Sequence, residues 1–221
     1  MRVWSIDWIN NRERVINRII EKLDESMKVA DAPADMPAFD ISAEQIEEKE
    51  SNARKYNRYE TDGRNAVSMD DIDLMRNIIA SEQPLTFMYL CRRVNALRDA
   101  GRVTPTLQKT LKAFISEFHA DESGALWLRE DDCADYSFYR PDSGRDITEV
   151  PEVEIVNVIT ETLIEQVALD EDSLTLVASK KLGFTRRGIN VETAFRNAVS
   201  GMRLSGKIET VGENLRLRTD N

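Results

Sequence analysis

The feature that most limits what this chain can fold into is a duplication. The stretch from Asp70 to about Tyr139 and the stretch from Pro151 to Arg218 carry the same signals in the same order. In the first, apolar residues recur at helical spacing around Ile72 to Ile79, in an Arg-rich segment around Phe87 to Leu97, and around Leu107 to Phe118. Ser123-Gly124-Ala125-Leu126-Trp127-Leu128 then reads as a short hairpin turning on a glycine. The second stretch repeats this with Ile155 to Val167, Leu174 to Leu182, Val191 to Leu204, and a hairpin over Ile208 to Leu217 that turns at Gly212. Three helices followed by a Gly-tipped hairpin are the parts of a winged helix-turn-helix. The pattern therefore predicts a mainly α fold with small β wings, built as tandem winged helix-turn-helix repeats over residues 69–141 and 151–218.

Ahead of the repeats the chain changes character. Arg2-Val3-Trp4-Ser5-Ile6-Asp7-Trp8 alternates like a strand, with Trp4 and Trp8 on one face, and Asn10 with Glu13 has the spacing of a capping box. Val15, Ile16, Ile19, Ile20 and Leu23 then line one side of a helix. Residues 1–24 read as an N-terminal strand-helix remnant whose apolar face needs something to pack on. Residues 25–68 lose apolar content, carry Pro33 and Pro37 and are rich in acids and amides, the composition of an acidic linker. Within it, Ser42 to Glu60 has the outline of a helix capped by Ser42 and Gln45, with a weak stripe at Ile46, Tyr56 and Tyr59.

Charge bears on function through its placement. The 221 residues hold 30 Lys and Arg against 40 Asp and Glu, a net charge of -10, which by itself disfavours a polyanionic partner. Yet a local field is screened from distant charges beyond about 8 Å at physiological salt, so clusters count for more than totals. Arg92, Arg93, Arg98, Arg102, Lys109 and Lys112 fall on the second helix, turn and third helix of the first repeat, against the single acid Asp99. Lys180, Lys181, Arg186, Arg187, Arg196, Arg203 and Lys207 fall on the same parts of the second, against Glu192. The compensating acids lie elsewhere along the chain, in Glu130-Asp131-Asp132, Asp170-Glu171-Asp172, Glu152 and Glu154. One reading sets these thirteen bases against DNA phosphates, with the third helix in the major groove and the wing on the backbone. The other makes them solvated faces of amphipathic helices in a scaffold that docks on protein, a use to which such modules are also put. The third helix of the first repeat favours the second reading, since only Lys109 and Lys112 stand on its polar side.

Other constellations carry less chemistry. Glu130, Asp131, Asp132 and Asp135 around Cys133 supply oxygens suited to a hard cation but lack the spacing and central glycine of a calcium loop, and read as an acidic loop. His119 is the only histidine, which excludes a histidine triad and any zinc site needing two imidazoles; it reads as the end of the third helix. Cys91 and Cys133 have neither metal-knuckle nor disulfide spacing. Trp127 and Leu128 read as core, and Tyr139 with Arg140 as the pair that fixes the joint between repeats. No apolar run approaches the roughly 18 residues of a membrane span and no signal core opens the chain, so a soluble, cytoplasmic protein without a membrane partner is expected.

The segment Arg2-Val3-Trp4-Ser5-Ile6-Asp7-Trp8, followed by a polar turn and an amphipathic helix, resembles the closing strand and helix of the very-short-patch-repair-like endonuclease domain in large bacterial superfamily I DNA helicase-related proteins. That family's usual string is Arg-Ile-Trp-Ser-Thr-Asp-Trp, from which this chain departs at Val3 and Ile6. Phe138-Tyr139-Arg140-Pro141, Pro151-Glu152-Val153-Glu154-Ile155 and Leu182-Gly183-Phe184-Thr185-Arg186-Arg187-Gly188 are similar to the C-terminal region of the same proteins, a domain without assigned function. The resemblance implies a non-catalytic C-terminal module whose partners are DNA and the helicase and nuclease domains of a parent protein. The chain has no phosphate loop ending in Gly-Lys-Ser or Gly-Lys-Thr and none of the nuclease's earlier acidic strand residues, so no catalytic residue, metal or cofactor carries over.

Overall fold

A computed structural model describes residues 51–218, which lie in one compact unit; the expected strand and helix of residues 1–24, and residues 25–50, fall outside the described residues. The fold is mainly helical, with two small antiparallel two-stranded sheets among the described residues. After a short helix α1 (Gly63–Ser68) come α2 (Asp71–Glu82), α3 (Phe87–Leu97) and α4 (Pro105–Lys112), a 3-10 turn (Ile115–Glu117), β1 (His119–Ala120) and β2 (Leu126–Trp127). A one-turn helix α5 (Asp131–Ala134) and a second 3-10 turn (Ile147–Glu149) lead into α6 (Glu152–Gln166), α7 (Glu171–Lys181), α8 (Ile189–Leu204), β3 (Ile208–Val211) and β4 (Asn214–Leu217).

Local chemistry sets the helix starts. The side chain of Thr86 accepts from the Tyr89 amide at the head of α3, Thr104 accepts from Leu107 ahead of Pro105 in α4, and Asp170 accepts from Ser173 in α7. Each cap satisfies an amide that would otherwise lack a partner.

The two hairpins are paired in comparable ways. In β1 and β2, His119 faces Trp127 and Ala120 faces Leu126; in β3 and β4, Ile208 faces Leu217 and Val211 faces Asn214. A single residue just ahead of the second helix bridges each hairpin's outgoing strand, Leu85 to Leu126 and Leu169 to Leu215. Core positions recur at a constant offset: Leu74 and Val158, Met75 and Ile159, Ile79 and Leu163, Leu85 and Leu169, Leu90 and Leu174, and Leu111 and Phe195 are each 84 residues apart, and all twelve are buried. Asp99 and Gly183, also 84 apart, both take left-handed backbone after the second helix, with φ of 51° and 99°. The register slips only beyond the third helix, which has 8 residues in α4 and 16 in α8.

Each repeat buries its own apolar cluster, one around Leu74, Ile78, Leu90 and Leu111, the other around Ile159, Leu174, Phe195 and Ile208. Between the clusters lies a polar joint, spanned by residues 51–59. The Arg54 amide donates to the Tyr139 carbonyl at 2.8 Å and the Tyr139 amide to the Asn52 carbonyl at 3.2 Å, while Ala53 packs on the second cluster and Tyr56 and Tyr59 on the first.

The helix outlined from Ser42 to Glu60 is absent over residues 51–60, which form an extended strap with one bridge at Ala53. The weak stripe of Tyr56 and Tyr59 arises because both rings reach one core from non-helical backbone. The third helix of the first repeat stops at Lys112 rather than Phe118, and the chain tightens into the 3-10 turn; nothing in the apolar spacing marks that end. His119 stands in β1 opposite Trp127, not at the helix end. The acidic stretch at 130–135 contains the single turn α5.

Candidate nucleic-acid interface

Of the thirteen predicted bases, three are consumed by the fold. Arg93, 8% exposed, donates through Nε to both oxygens of buried Glu82, at 2.9 and 3.1 Å, and through Nη2 to the Tyr59 carbonyl at 2.6 Å. Arg98 grips the Ala66 and Met69 carbonyls and the Asp71 carboxylate, tying α1 to α3. Lys181 bridges Glu161 and Glu165 of α6. Removing such groups from their partners would strand carboxylates and carbonyls, so they are not available to a ligand.

Arg92, Arg187, Arg196 and Arg203 are exposed but engaged. Arg92 pairs with Glu149, Arg187 donates to the Asp172 carbonyl at 3.3 Å, Arg196 pairs with Glu192 and Asp172, and Arg203 with Glu171. The acids of Asp170-Glu171-Asp172 were expected to lie apart from these bases. They cap α7 instead, and the α7–α8 packing brings Glu171 and Asp172 onto α8, so separation along the chain is closed in space in the second repeat. Such surface pairs are worth only about 0–1 kcal/mol, however, and a phosphate can displace them.

Arg102, Lys109, Lys112, Lys180, Arg186 and Lys207 are exposed, and none has a carboxylate within ion-pair distance among the described residues. Lys207 shares a cleft of about 610 Å³ with Asp121 and Glu122 of the first hairpin. Arg102 and Arg186 are 84 residues apart and stand at the same place in the turn between second and third helices; Lys112 and Arg196, also 84 apart, share a position on the third helix. The hairpin tips carry acid rather than base, with Asp121 and Glu122 in the first and Glu213 in the second.

A densely hydrogen-bonded cluster lies outside the predicted bases. Glu154, on the first turn of α6 and fully buried, takes Nη2 of Arg140 at 2.6 Å and Nη1 and Nη2 of Arg145 at 2.7 and 2.8 Å. Arg140 also donates to the carbonyls of Glu82, Gln83 and Pro84, at 2.6, 3.1 and 2.7 Å, joining the end of α2 to the start of α6. The Tyr56 ring faces both guanidinium groups at 4.9 and 4.8 Å, and its hydroxyl donates to Glu82. Burial works to raise the Glu154 carboxyl, but the two guanidiniums outweigh it and hold the group below the usual carboxylate range. Burial, with the Glu82 carboxylate, drives the Tyr56 hydroxyl far above its ordinary value, so it acts as a neutral donor. Arg140 thus joins the two halves, as its place in the sequence suggests; Arg145 carries no comparable signal in the sequence. Nearby, Glu161 ties the strap to the second repeat, accepting from the Asn52 amide at 2.7 Å and the Tyr139 hydroxyl at 2.8 Å.

Cys91 is buried, and burial pushes its thiol up to about 11, which leaves it unreactive. Among the described residues no helix is long and apolar enough to cross a membrane. Comparison of the chain with protein-family models gives no match, and neither do comparisons with curated proteins and with solved structures.

Proposed function

We propose that residues 69–141 and 151–218 are tandem winged helix-turn-helix modules that bind duplex DNA as the non-catalytic tail of a helicase- and nuclease-related protein. The single observation that carries this reading is the recurrence of exposed bases at equivalent places in both copies, Arg102 with Arg186 and Lys112 with Arg196. Core positions recur because a core must be packed; an exposed arginine in a turn has no such reason. The order of helix, bridging residue, helix, helix and hairpin, found twice, is what a winged module requires. Because the hairpin tips are acidic, phosphate contact is assigned to the turns and third helices and not to the wings.

Titration of a fluorescent duplex with the full chain at several salt concentrations tests this. Binding is expected to weaken steeply with salt, and the change of Arg102 and Arg186 to Glu together is expected to lower the slope of log affinity against log salt by about 2, near 0.9 per phosphate contact. Absence of binding at low salt overturns the proposal.

A second reading, a docking scaffold for protein, is supported by two apolar side chains left open at the ends of α8, Ile189 at 81% and Leu204 at 91% exposure. Retention by immobilised helicase and nuclease domains, lost on changing both residues to Ser, would favour it over DNA.

A further inference from the structure

The strap holds a set of bases that the repeat pattern does not reveal. Arg54, Lys55 and Arg58 are exposed, have no carboxylate within ion-pair distance among the described residues, and line a groove of about 490 Å³ whose far wall is the turn at Pro141–Ser143. Their backbone is not a loose chain. It is pinned by the Tyr139 bridge at one end, and at the other by the Tyr59 amide, which donates to Glu82 at 2.9 Å. The Arg54 guanidinium is further seated on the Phe138 ring at 4.3 Å. The backbone that carries these groups, and the Arg54 head, are therefore already ordered, which lowers the entropy cost of engaging a ligand.

The ground beneath the groove is also positive. Tyr56 lines it, and behind that ring the buried cluster sets Arg93, Arg140 and Arg145 against only Glu82 and Glu154, leaving one positive charge unbalanced in a poorly solvated region. Two acids, Glu60 and Asp142, stand on the rim. The Asp142 carboxylate is turned against Gly183, where a Cβ would lie 2.7 Å from its Oδ1. That contact places the groove wall beside the turn between α7 and α8, the turn that carries Arg186.

We infer that Arg54, Lys55 and Arg58 form a phosphate-binding groove that continues the nucleic-acid track of the second repeat, so that a backbone strand engaged at Arg186 runs on over the strap. This rests on the DNA-binding reading above and extends it to a segment outside both repeats. The ligand is the sugar–phosphate backbone, recognised by charge and not by base identity.

The test uses the full chain and a fluorescent duplex, with salt titrations of the unaltered protein, of a strap variant (Arg54→Glu, Lys55→Glu, Arg58→Glu), and of a control with the same change in net charge (Arg64→Glu, Arg76→Glu, Arg129→Glu). The strap variant is expected to lose at least about 10-fold in affinity at fixed salt and to lower the salt slope by about 3, while the control moves the slope by less than about 1. A strap variant with an unchanged slope, in a protein that still loses binding when Arg102 and Arg186 are reversed, overturns the groove and leaves the tandem modules standing. Equal losses in the strap variant and the control overturn it too, since net charge alone then accounts for the effect. No binding by the unaltered protein overturns both. Should loss of the Phe138 contact unfold the triple variant, Lys55→Glu with Arg58→Glu reads the same slope, lowered by about 2.

Discussion

In the first repeat the third helix is 8 residues long and its exposed Lys109 and Lys112 meet no acid among the described residues; in the second it is 16 residues long, and Arg196 and Arg203 lie against Asp172, Glu192 and Glu171. The first hairpin has two-residue strands and its Trp127 meets Tyr136 edge-on, with ring centroids 5.0 Å apart, whereas the second has four-residue strands and leaves Val211 near its tip half exposed. Buried positions from Leu74 to Leu111 nevertheless map onto Val158 to Phe195 without an insertion. Surface charge can change widely because it lies outside the packing, whereas each hairpin keeps buried residues, Leu126 and Trp127 in the first and Ile208 and Leu215 in the second. The constant core spacing and the differing surfaces are thus separate features of the two stretches.

The strongest way to break this comparison is to attack what holds the copies together. Glu154→Gln leaves Arg140 and Arg145 buried against a neutral amide and is expected to cost about 3–5 kcal/mol, a large share of the roughly 5–15 kcal/mol available to such a domain. Urea unfolding should still show one transition for residues 51–218; two separated transitions would mean that the repeats are independent. The same carboxyl supplies a pH dependence. Its folded pKa lies below the ordinary 4.5, so its contribution is fully present above that value and is lost as pH falls through the depressed folded value. In the Gln variant that part of the acid dependence should vanish.

Next in size are the equivalent core positions. Leu111→Ala and Phe195→Ala should cost about 2–5 and 3–5 kcal/mol by urea denaturation, and a loss confined to one repeat would show that the matched positions are not matched in load. Smaller still are the caps. Thr86→Ala and Asp170→Ala are each expected to cost about 1 kcal/mol in thermal unfolding. Asp170 should be the more pH-sensitive of the two, because the Ser173 amide holds its carboxyl below the usual range and that advantage disappears in acid. Least of all, Arg203→Ala should change stability by under about 1 kcal/mol, since its bond to Glu171 lies in solvent; a larger loss would show that the second repeat's surface pairs are structural.

What could be read in advance follows from the range of the interaction responsible. The second and third helices declared themselves through apolar spacing, and α3 runs over Phe87–Leu97 as the pattern around those residues indicated. The strap did not, because Ala53, Tyr56 and Tyr59 belong to two different cores and follow no local period. For the candidate interface, the turn arginines Arg102 and Arg186 could be found from sequence. The engagement of Arg93 could not, since its partners Glu82 and Tyr59 lie 11 and 34 residues away. Likewise, the acids that meet α8 were visible as letters at 171 and 172, but only helix packing brings them within reach of Arg196 and Arg203.

Arg140 clasps three successive carbonyls at the end of α2, and its carboxylate partner sits at the head of α6, so twisting one repeat against the other would tear several buried charge-assisted bonds at once. The pair accordingly behaves as a gauge of set length, without a hinge. On the proposed DNA-binding reading, a duplex touched by both third helices would have to match that gauge, and sequences that deform easily would then be favoured at base pairs the protein never reaches.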